Sequence, residues 1–145
     1  MKLLGVVALS VVIVSCRAGS GGNVSVECKT LTGKYEVAGG GQQEVIQDSC
    51  GPTVNIENKT IGINGQSFSQ NFVLDGVRKL EQGGDVLNYR YYTRSWENDT
   101  WVDKWERYEN AQFHSSVTTL FSLDNQGNLV VKDDQGAQKV YRRIR

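Results

Sequence analysis

Short runs of alternating apolar and polar residues, separated by turn-forming pairs, recur along the chain from Val24 onward. Val54 and Ile56 alternate with polar neighbours, and so do Ile61 and Ile63. No segment keeps an apolar stripe at the i, i+3, i+4, i+7 spacing through three helical turns, so the pattern gives no indication of an amphipathic helix. Short strands with turns at this spacing are typical of an all-β sandwich or barrel.

Turn signals set the expected order of the strands. Asn64-Gly65 predicts a two-residue hairpin turn that places Ile61 opposite Phe68. Further turns are expected at Asp75-Gly76, Gly83-Gly84, 124–128 and 133–136. A meander of roughly eight to ten strands closes most simply as a small antiparallel up-and-down barrel, and closure removes the exposed sheet edges that invite aggregation. We therefore expect a single all-β domain of this kind.

The first sixteen residues follow a different pattern. Lys2 gives a positive start, the run from Leu3 to Val14 is uncharged and largely apolar, and Cys16 closes it. This arrangement is typical of a secretory signal, and the run is too short for an ordinary membrane span. An ordinary signal peptide with an incidental cysteine is one interpretation of it.

The end of this segment resembles the lipobox of a bacterial lipoprotein signal peptide. The lipobox residues correspond to Ile13, Val14, Ser15 and Cys16. The resemblance implies that the Cys16 sulfur receives a diacylglycerol, that cleavage occurs just before it, and that acyl chains anchor the protein in the bacterial cell envelope. In enterobacterial lipoproteins, which this segment resembles, an Asp after the cysteine favours retention in the inner membrane. Arg17 occupies that position here, so the resemblance implies the outer membrane.

Under this interpretation the chain has three parts: a signal peptide at 1–15, a lipidated cysteine with a Gly/Ser-rich tether at 16–27, and a β-barrel domain at 28–145. Loss of Lys2 leaves 15 basic and 16 acidic side chains. This balance gives no electrostatic footprint for nucleic acid. It also gives no general attraction to anionic lipid headgroups, so membrane attachment depends on the acyl anchor. We expect a monomer.

The chain contains three cysteines. With Cys16 acylated, Cys28 and Cys50 remain, and an exported chain meets an oxidising compartment. A Cys28–Cys50 disulfide is therefore expected, with two free buried thiols as the alternative.

The segment Gly33-Lys34-Tyr35 opens the first strong strand. It resembles the Gly-x-Trp/Tyr opening of the calycin group, which includes lipocalins and avidins. The resemblance implies that Tyr35 packs at the closed end of a barrel against an arginine of the last strand, which corresponds to Arg142 or Arg143. It implies no particular ligand.

The segment from Tyr89 to Tyr108 contains all three tryptophans, four tyrosines and three arginines. A hairpin with its turn at 97–100 is expected here. The expected cross-strand pairs are Trp96 with Trp101, Arg94 with Asp103, Tyr92 with Trp105, and Arg90 with Arg107. The last pair would be repulsive, so this register requires acidic neighbours.

One side of this hairpin carries Tyr92, Arg94, Trp96, Trp101 and Trp105. These residue types are enriched at binding hot spots, so the side is a candidate binding surface. The alternative is that the aromatic pairs only stabilise a long hairpin. A binding surface would suit a small apolar, aromatic or glycan ligand, or else a protein partner such as an envelope-attacking hydrolase that the protein inhibits.

Catalytic patterns are weak in this sequence. His114 is the only histidine, and its neighbours offer no metal-ligand spacing. No Gly-x-Ser-x-Gly elbow is present, and the segment 124–128 fits a hairpin turn better than a calcium loop. We therefore expect a protein without enzymatic activity, metal or cofactor.

Overall fold

The computed structural model describes residues 28–144, and this part of the chain is all-β. It contains no α-helix, and thus no helix that could cross a membrane. The first sheet is formed by β1 (Gly33–Val37), β2 (Gly41–Gln47), β3 (Val54–Ile61), β4 (Ser67–Leu74) and β11 (Arg143–Ile144). The second is formed by β5 (Arg78–Leu80), β6 (Tyr89–Glu97), β7 (Thr100–Glu109), β8 (Gln112–Leu123), β9 (Leu129–Asp133) and β10 (Gln138–Tyr141). The prediction of an all-β fold is confirmed.

Both sheets are antiparallel meanders in which neighbours in space are neighbours in sequence. Their strand orders are β11-β1-β2-β3-β4 and β10-β9-β8-β7-β6-β5. The C-terminal segment passes from the second sheet to the first through Arg142, whose carbonyl oxygen accepts a hydrogen bond from the Glu36 N–H at 2.8 Å. The two sheets are not joined into one closed sheet, because β4 and β5 do not pair.

The alternating strand directions create two distinct ends. We call one the packed end; it carries residues 28–32, the 48–53 loop and the turns at 98–99 and 124–128. We call the other the open end; it carries the turns at 38–40, 62–66, 110–111 and 134–137 and the 81–88 loop.

The hydrophobic core lies toward the packed end. Its buried side chains are Leu31, Tyr35, Val45, Val54, Ile56, Leu74, Trp101 and Leu129. Both sheets contribute to this set. Successive side chains of a strand point to opposite faces, so each sheet directs every second residue toward the core. Phe72 of the first sheet and Trp101 of the second join the two layers, with ring centroids 5.0 Å apart.

A disulfide between Cys28 and Cys50 stabilises the packed end, as the sequence predicts. Beside it, the buried Gln47 accepts a hydrogen bond from the Leu31 N–H at 2.9 Å and donates one to the Ser49 carbonyl at 2.7 Å. The oxygen and the nitrogen of this buried amide are thus both hydrogen-bonded, as buried polar groups usually are. Through these two bonds the Gln47 side chain links the segment before β1 to the loop after β2.

The hairpin between β3 and β4 corrects one prediction. Ile61 pairs with Ser67, and Phe68 pairs with Thr60, so the predicted Ile61–Phe68 pair is wrong by one residue. The connection is a three-residue loop closed by the Gly62 N–H and the Gln66 carbonyl at 2.8 Å, with only Gly65 at positive φ. The Asn64 side chain accepts the Gln66 N–H at 3.1 Å, which favours this loop over a two-residue turn.

Candidate functional site

The aromatic hairpin formed by β6 and β7 has the predicted register. Trp96 pairs with Trp101, Arg94 with Asp103, Tyr92 with Trp105, and Arg90 with Arg107. Asn98 and Asp99 both have positive φ, of 49° and 59°, as a two-residue type I′ turn requires. The turn therefore fixes which side chains share a side of the hairpin.

The Trp/Arg side of the hairpin faces the first sheet. Near the packed end, Trp101 is only 3% exposed and stacks on Phe121 with ring centroids 4.2 Å apart. Trp96 packs against the same core and is half-buried. These two tryptophans therefore contribute to the interior of the protein.

Midway along the hairpin, the same side carries an ion pair within a group of aromatic rings. Arg94 Nε lies 3.3 Å from Asp103 Oδ1, and both side chains are largely buried. The Arg94 guanidinium lies 4.3 Å from the Tyr92 ring centroid, 4.9 Å from that of Phe72 and 5.6 Å from that of Trp105. Burial raises the pKa of Asp103, and the charge of Arg94 partly offsets this effect.

Three polar atoms in this region lack a hydrogen-bond partner among residues 28–144. They are Arg94 Nε, Asp103 Oδ1 and Trp101 Nε1, and all three are buried. Two of them, Arg94 Nε and Asp103 Oδ1, face each other at 3.3 Å, so their charges compensate one another. Unsatisfied buried polar atoms are uncommon in folded proteins and require an explanation.

Toward the open end, the same side of the hairpin becomes accessible. A surface depression is lined there by Arg90, Trp105, Arg107 and Val117, among others. The side chains of Arg90 and Arg107 are each about half exposed, and the repulsion expected between them is relieved by acids. Arg90 Nη1 lies 3.8 Å from Glu81 Oε2, and Arg107 Nη2 lies 2.6 Å from Glu109 Oε1.

On the first sheet, strand β4 also carries an exposed apolar side chain toward the open end. Phe68 lies on the same side of β4 as Phe72 but four residues closer to the open end, and it is 63% exposed. Val117, next to Trp105 on β8, is 49% exposed. Apolar side chains on the inner surfaces thus remain in contact with solvent at this end.

The opposite side of the hairpin carries a tyrosine cluster, which we define as Tyr89, Tyr91 and Tyr108. The rings of Tyr89 and Tyr108 stack with centroids 5.0 Å apart. The Arg78 guanidinium lies 3.6 Å from the Tyr91 ring centroid, and Arg78 Nε lies 2.6 Å from Glu106 Oε2. Alternation along β6 and β7 places these tyrosines on one side of the hairpin. It does not reveal the arginine, because Arg78 reaches them from β5.

A β-bulge adds a further ring to this cluster. Arg107 pairs with Ser115 but Tyr108 pairs with Phe113, so the pairing shifts by one residue at this point. Phe113 thereby lies 5.7 Å from Tyr108, measured between ring centroids, and remains exposed. His114 occupies the bulge, and its Nδ1 is 3.4 Å from Glu109 Oε2.

The pair predicted from the calycin resemblance lies at the packed end. Arg143 is directly opposite Tyr35 in the β1–β11 pairing, whereas Arg142 contributes its backbone carbonyl to Glu36. The Tyr35 hydroxyl donates a 2.7 Å hydrogen bond to the Leu31 carbonyl, and burial raises its pKa, an effect that the charge of Arg143 opposes.

Gly33 makes this arrangement possible. A Cβ atom at this position would lie 2.9 Å from the Tyr35 hydroxyl oxygen and 3.2 Å from Arg143 Nε. The glycine of the Gly-x-Tyr segment is thus required by the close approach of two other side chains.

Several other predicted residues fall elsewhere. Cys16 and its tether lie outside the described residues. Within 28–144, no group of three or more His, Cys, Asp or Glu side chains is placed to hold a metal ion. The turn at 124–128 is organised by Asp124, which accepts hydrogen bonds from the N–H groups of Gln126 and Asn128.

The inner surface of the aromatic hairpin thus combines a packed half with an accessible half, and the buried ion pair lies between them. No protein-family model, curated protein or solved structure matches this chain.

Proposed function

We propose that this protein is a non-catalytic binding module, anchored by an acylated Cys16 in the bacterial cell envelope, on the outer membrane. Its ligand is a small apolar, aromatic or glycan molecule that enters at the open end. The anchor rests on the lipobox resemblance of Ile13 to Cys16. The ligand site rests on the inner side of the aromatic hairpin.

One observation carries the binding proposal. Arg94 Nε, Asp103 Oδ1 and Trp101 Nε1 are buried without hydrogen-bond partners within the described residues, among aromatic rings that continue to solvent. Binding sites are concave, mostly apolar, and contain a few placed polar groups. A ligand with a polar group at its leading edge would reach the Arg94–Asp103 pair from the open end, and its apolar body would cover Trp105 and Val117.

The same proposal includes the shape of the domain. We propose an incomplete calycin-like barrel with a seam between β4 and β5. The meander order of both sheets, the passage of the C-terminal segment between them and the Tyr35–Arg143 pair support this architecture. A seam at the open end widens the entrance to the site.

Ligand binding is tested by titrating the protein with a panel of fatty acids, aromatic acids and oligosaccharides while following tryptophan fluorescence. For any ligand found, Trp105→Ala is expected to weaken the affinity measured by calorimetry roughly tenfold, because a stacking surface is lost. Tyr108→Ala, on the opposite side of the same hairpin, is the matched control and should bind normally. Equal losses in both variants would contradict a site on the inner side.

The anchor is tested separately. Cys16→Ser should release the protein from the membrane fraction, and mass spectrometry of the wild-type protein should detect acyl mass on Cys16 as the first residue. An unmodified Cys16, or a Cys16→Ser variant that stays on the membrane, would contradict the anchor but leave the ligand site untouched.

The tyrosine cluster favours a second candidate, a protein-interaction module such as an inhibitor of an envelope-attacking hydrolase. Tyrosine and arginine are enriched at protein interfaces, and Phe113 and Leu80 beside the cluster are exposed. The muramidase activity of a lysozyme, measured with and without the protein, tests this candidate. Inhibition that Tyr108→Ala abolishes and Trp105→Ala preserves would favour it over the ligand carrier.

A further inference from the structure

Strand β4 forms an edge of the first sheet. One of its sides pairs with β3 from Val54–Leu74 to Ile61–Ser67, and no strand within residues 28–144 pairs with the other side. Just beyond its end, the Gly76 N–H donates to the Arg94 carbonyl at 2.8 Å, which ties the chain after β4 to β6. Toward the open end, the backbone N–H and C=O groups of β4 are available to another strand.

This edge lacks the features that usually protect an edge strand. The eight residues of β4 include no charged side chain and no proline. The edge of the second sheet, β5, is protected by short length and charge, because it has only three residues and two of them are Arg78 and Lys79. Short length and charge discourage pairing with a further strand, and a long uncharged strand does not.

The order of side chains along β4 is symmetric about Gln70. Phe68 and Phe72 lie two residues on either side of it on the inner surface, and Ser69 and Asn71 lie beside it on the outer surface. When two copies pair antiparallel with Gln70 opposite Gln70, Phe68 of each copy lies opposite Phe72 of the other. Aromatic cross-strand pairs stabilise antiparallel sheets, and no like charges oppose one another in this register.

We propose that β4 pairs with β4 of a second copy of this chain, antiparallel and centred on Gln70. The pairing joins the two five-stranded sheets into one continuous sheet across the dimer. It covers Phe68, whose side chain is largely exposed in the single chain. This dimer is an alternative to the monomer expected from the sequence, and its test requires neither the proposed ligand nor the proposed anchor.

Oxidative cross-linking of the full chain in intact cells that produce it tests the register. Opposed residues of antiparallel strands have Cα atoms about 4.5–5.5 Å apart, within the range for a disulfide. Gln70→Cys is therefore expected to give mostly disulfide-linked dimer on a non-reducing gel. Ser69→Cys, one residue away and displaced from its symmetry mate, should link poorly, and Gln42→Cys on the interior strand β2 should not link.

A second variant tests the interface by a different route. Gln70→Lys places two like charges opposite each other at the symmetry axis, and it should convert the dimer to monomer in sedimentation velocity measurements. Gln42→Lys is the matched control and should sediment as the wild type. Peptide mapping of the Cys28–Cys50 disulfide in every variant verifies that the domain has folded.

Monomeric wild-type protein at all concentrations, or equal linking of Gln70→Cys and Gln42→Cys, would overturn the proposal. Cross-linking of Gln70→Cys to a different protein would also overturn it and would identify β4 as the site for a strand from that protein.

Discussion

The packed end and the open end of this domain are made by the same strands, yet they differ in nearly every physical respect. At the packed end, Tyr35, Leu74 and Trp101 are buried, and a disulfide joins Cys28 to Cys50. At the open end, Phe68 and Val117 of the inner surfaces remain exposed. The difference shows that a β-strand can stabilise the fold along one half of its length and supply an accessible surface along the other.

Charge distribution explains part of this difference. The inner positions of β6 and β7 change from tryptophan near the turn at 98–99, through the Arg94–Asp103 pair, to Arg90 and Arg107 at the open end. Charged side chains resist burial unless they are paired, so the two sheets cannot close on them as they close on Trp101. The ion pair therefore marks the boundary between the two halves.

The largest expected contrast comes from the same substitution at each end. Leu74 is fully buried at the packed end, and Leu80 is 56% exposed toward the open end. Leu74→Ala should lower the free energy of unfolding by roughly 2–5 kcal/mol, because a cavity forms in the core. Leu80→Ala should change it by less than about 0.5 kcal/mol. Urea denaturation measures both, and similar losses would remove the distinction between the ends.

Loss of the disulfide is expected to have the next largest effect. The double variant Cys28→Ser with Cys50→Ser should lose roughly 3 kcal/mol, because the cross-link restricts the unfolded chain over a separation of 22 residues. Ligand binding at the open end, measured in the folded variant, should be unchanged. A loss of affinity without unfolding would show that the two ends are coupled.

Gly33→Ala examines the close packing beside Tyr35. The new Cβ would approach the Tyr35 hydroxyl and Arg143, so a destabilisation of about 1–3 kcal/mol is expected. Gly51→Ala is the matched control, because the nearest atom there would be 3.9 Å away. Thermal unfolding of the two variants compares them, and equal melting temperatures would contradict the packing argument.

The smallest expected effect concerns two aspartates with opposite pKa shifts. Hydrogen bonds from Asn128 lower the pKa of Asp124, so its stabilising contribution is present above its unfolded pKa and is lost as the pH falls through the folded value. Burial raises the pKa of Asp103, so the folded state binds the proton more tightly and its charged form costs stability. That cost develops as the pH rises between the unfolded and folded pKa values.

Carboxyl carbon chemical shifts, followed by NMR through an acid titration, measure both aspartates in one experiment. Asp103 should titrate above the ordinary range for an aspartate and Asp124 below it. The Asp103 shift should become smaller if a polar ligand or water satisfies its carboxylate. Identical titration midpoints would show that Asp103 is not buried as described.

Sequence patterns predicted some local geometry correctly and failed where side chains competed. The register of β6 and β7 could be predicted because Asn98-Asp99 tolerates positive φ at both turn positions and because the aromatic residues alternate strictly. The β3–β4 register could not, because Asn64 bonds to the Gln66 N–H and enlarges the turn by one residue. A turn that satisfies its backbone locally overrides the pairing preference of Ile61 with Phe68.

In the candidate site too, the sequence pattern predicted some features and missed others. Alternation placed Tyr92, Arg94 and Trp105 on one side of the hairpin, and the structure agrees. Alternation could not determine that Trp101 would be buried while Arg90 stays exposed, because that depends on which residues of the first sheet face each of them. The contact of Arg78 with the tyrosine cluster likewise depends on the pairing of β5 with β6, which alternation within the hairpin does not show.

The sequence by itself determined the strand class and the sides of the aromatic hairpin, since each follows from backbone preference or a period of two. It predicted the Cys28–Cys50 disulfide on the premise that Cys16 is acylated. Tertiary structure alone decided which half of that hairpin is covered, which arginine lies opposite Tyr35, and that one edge of β4 has no partner strand among residues 28–144. Those outcomes depend on how two sheets meet, and the free energy of that contact is distributed over residues from both, so no single segment of the chain encodes it.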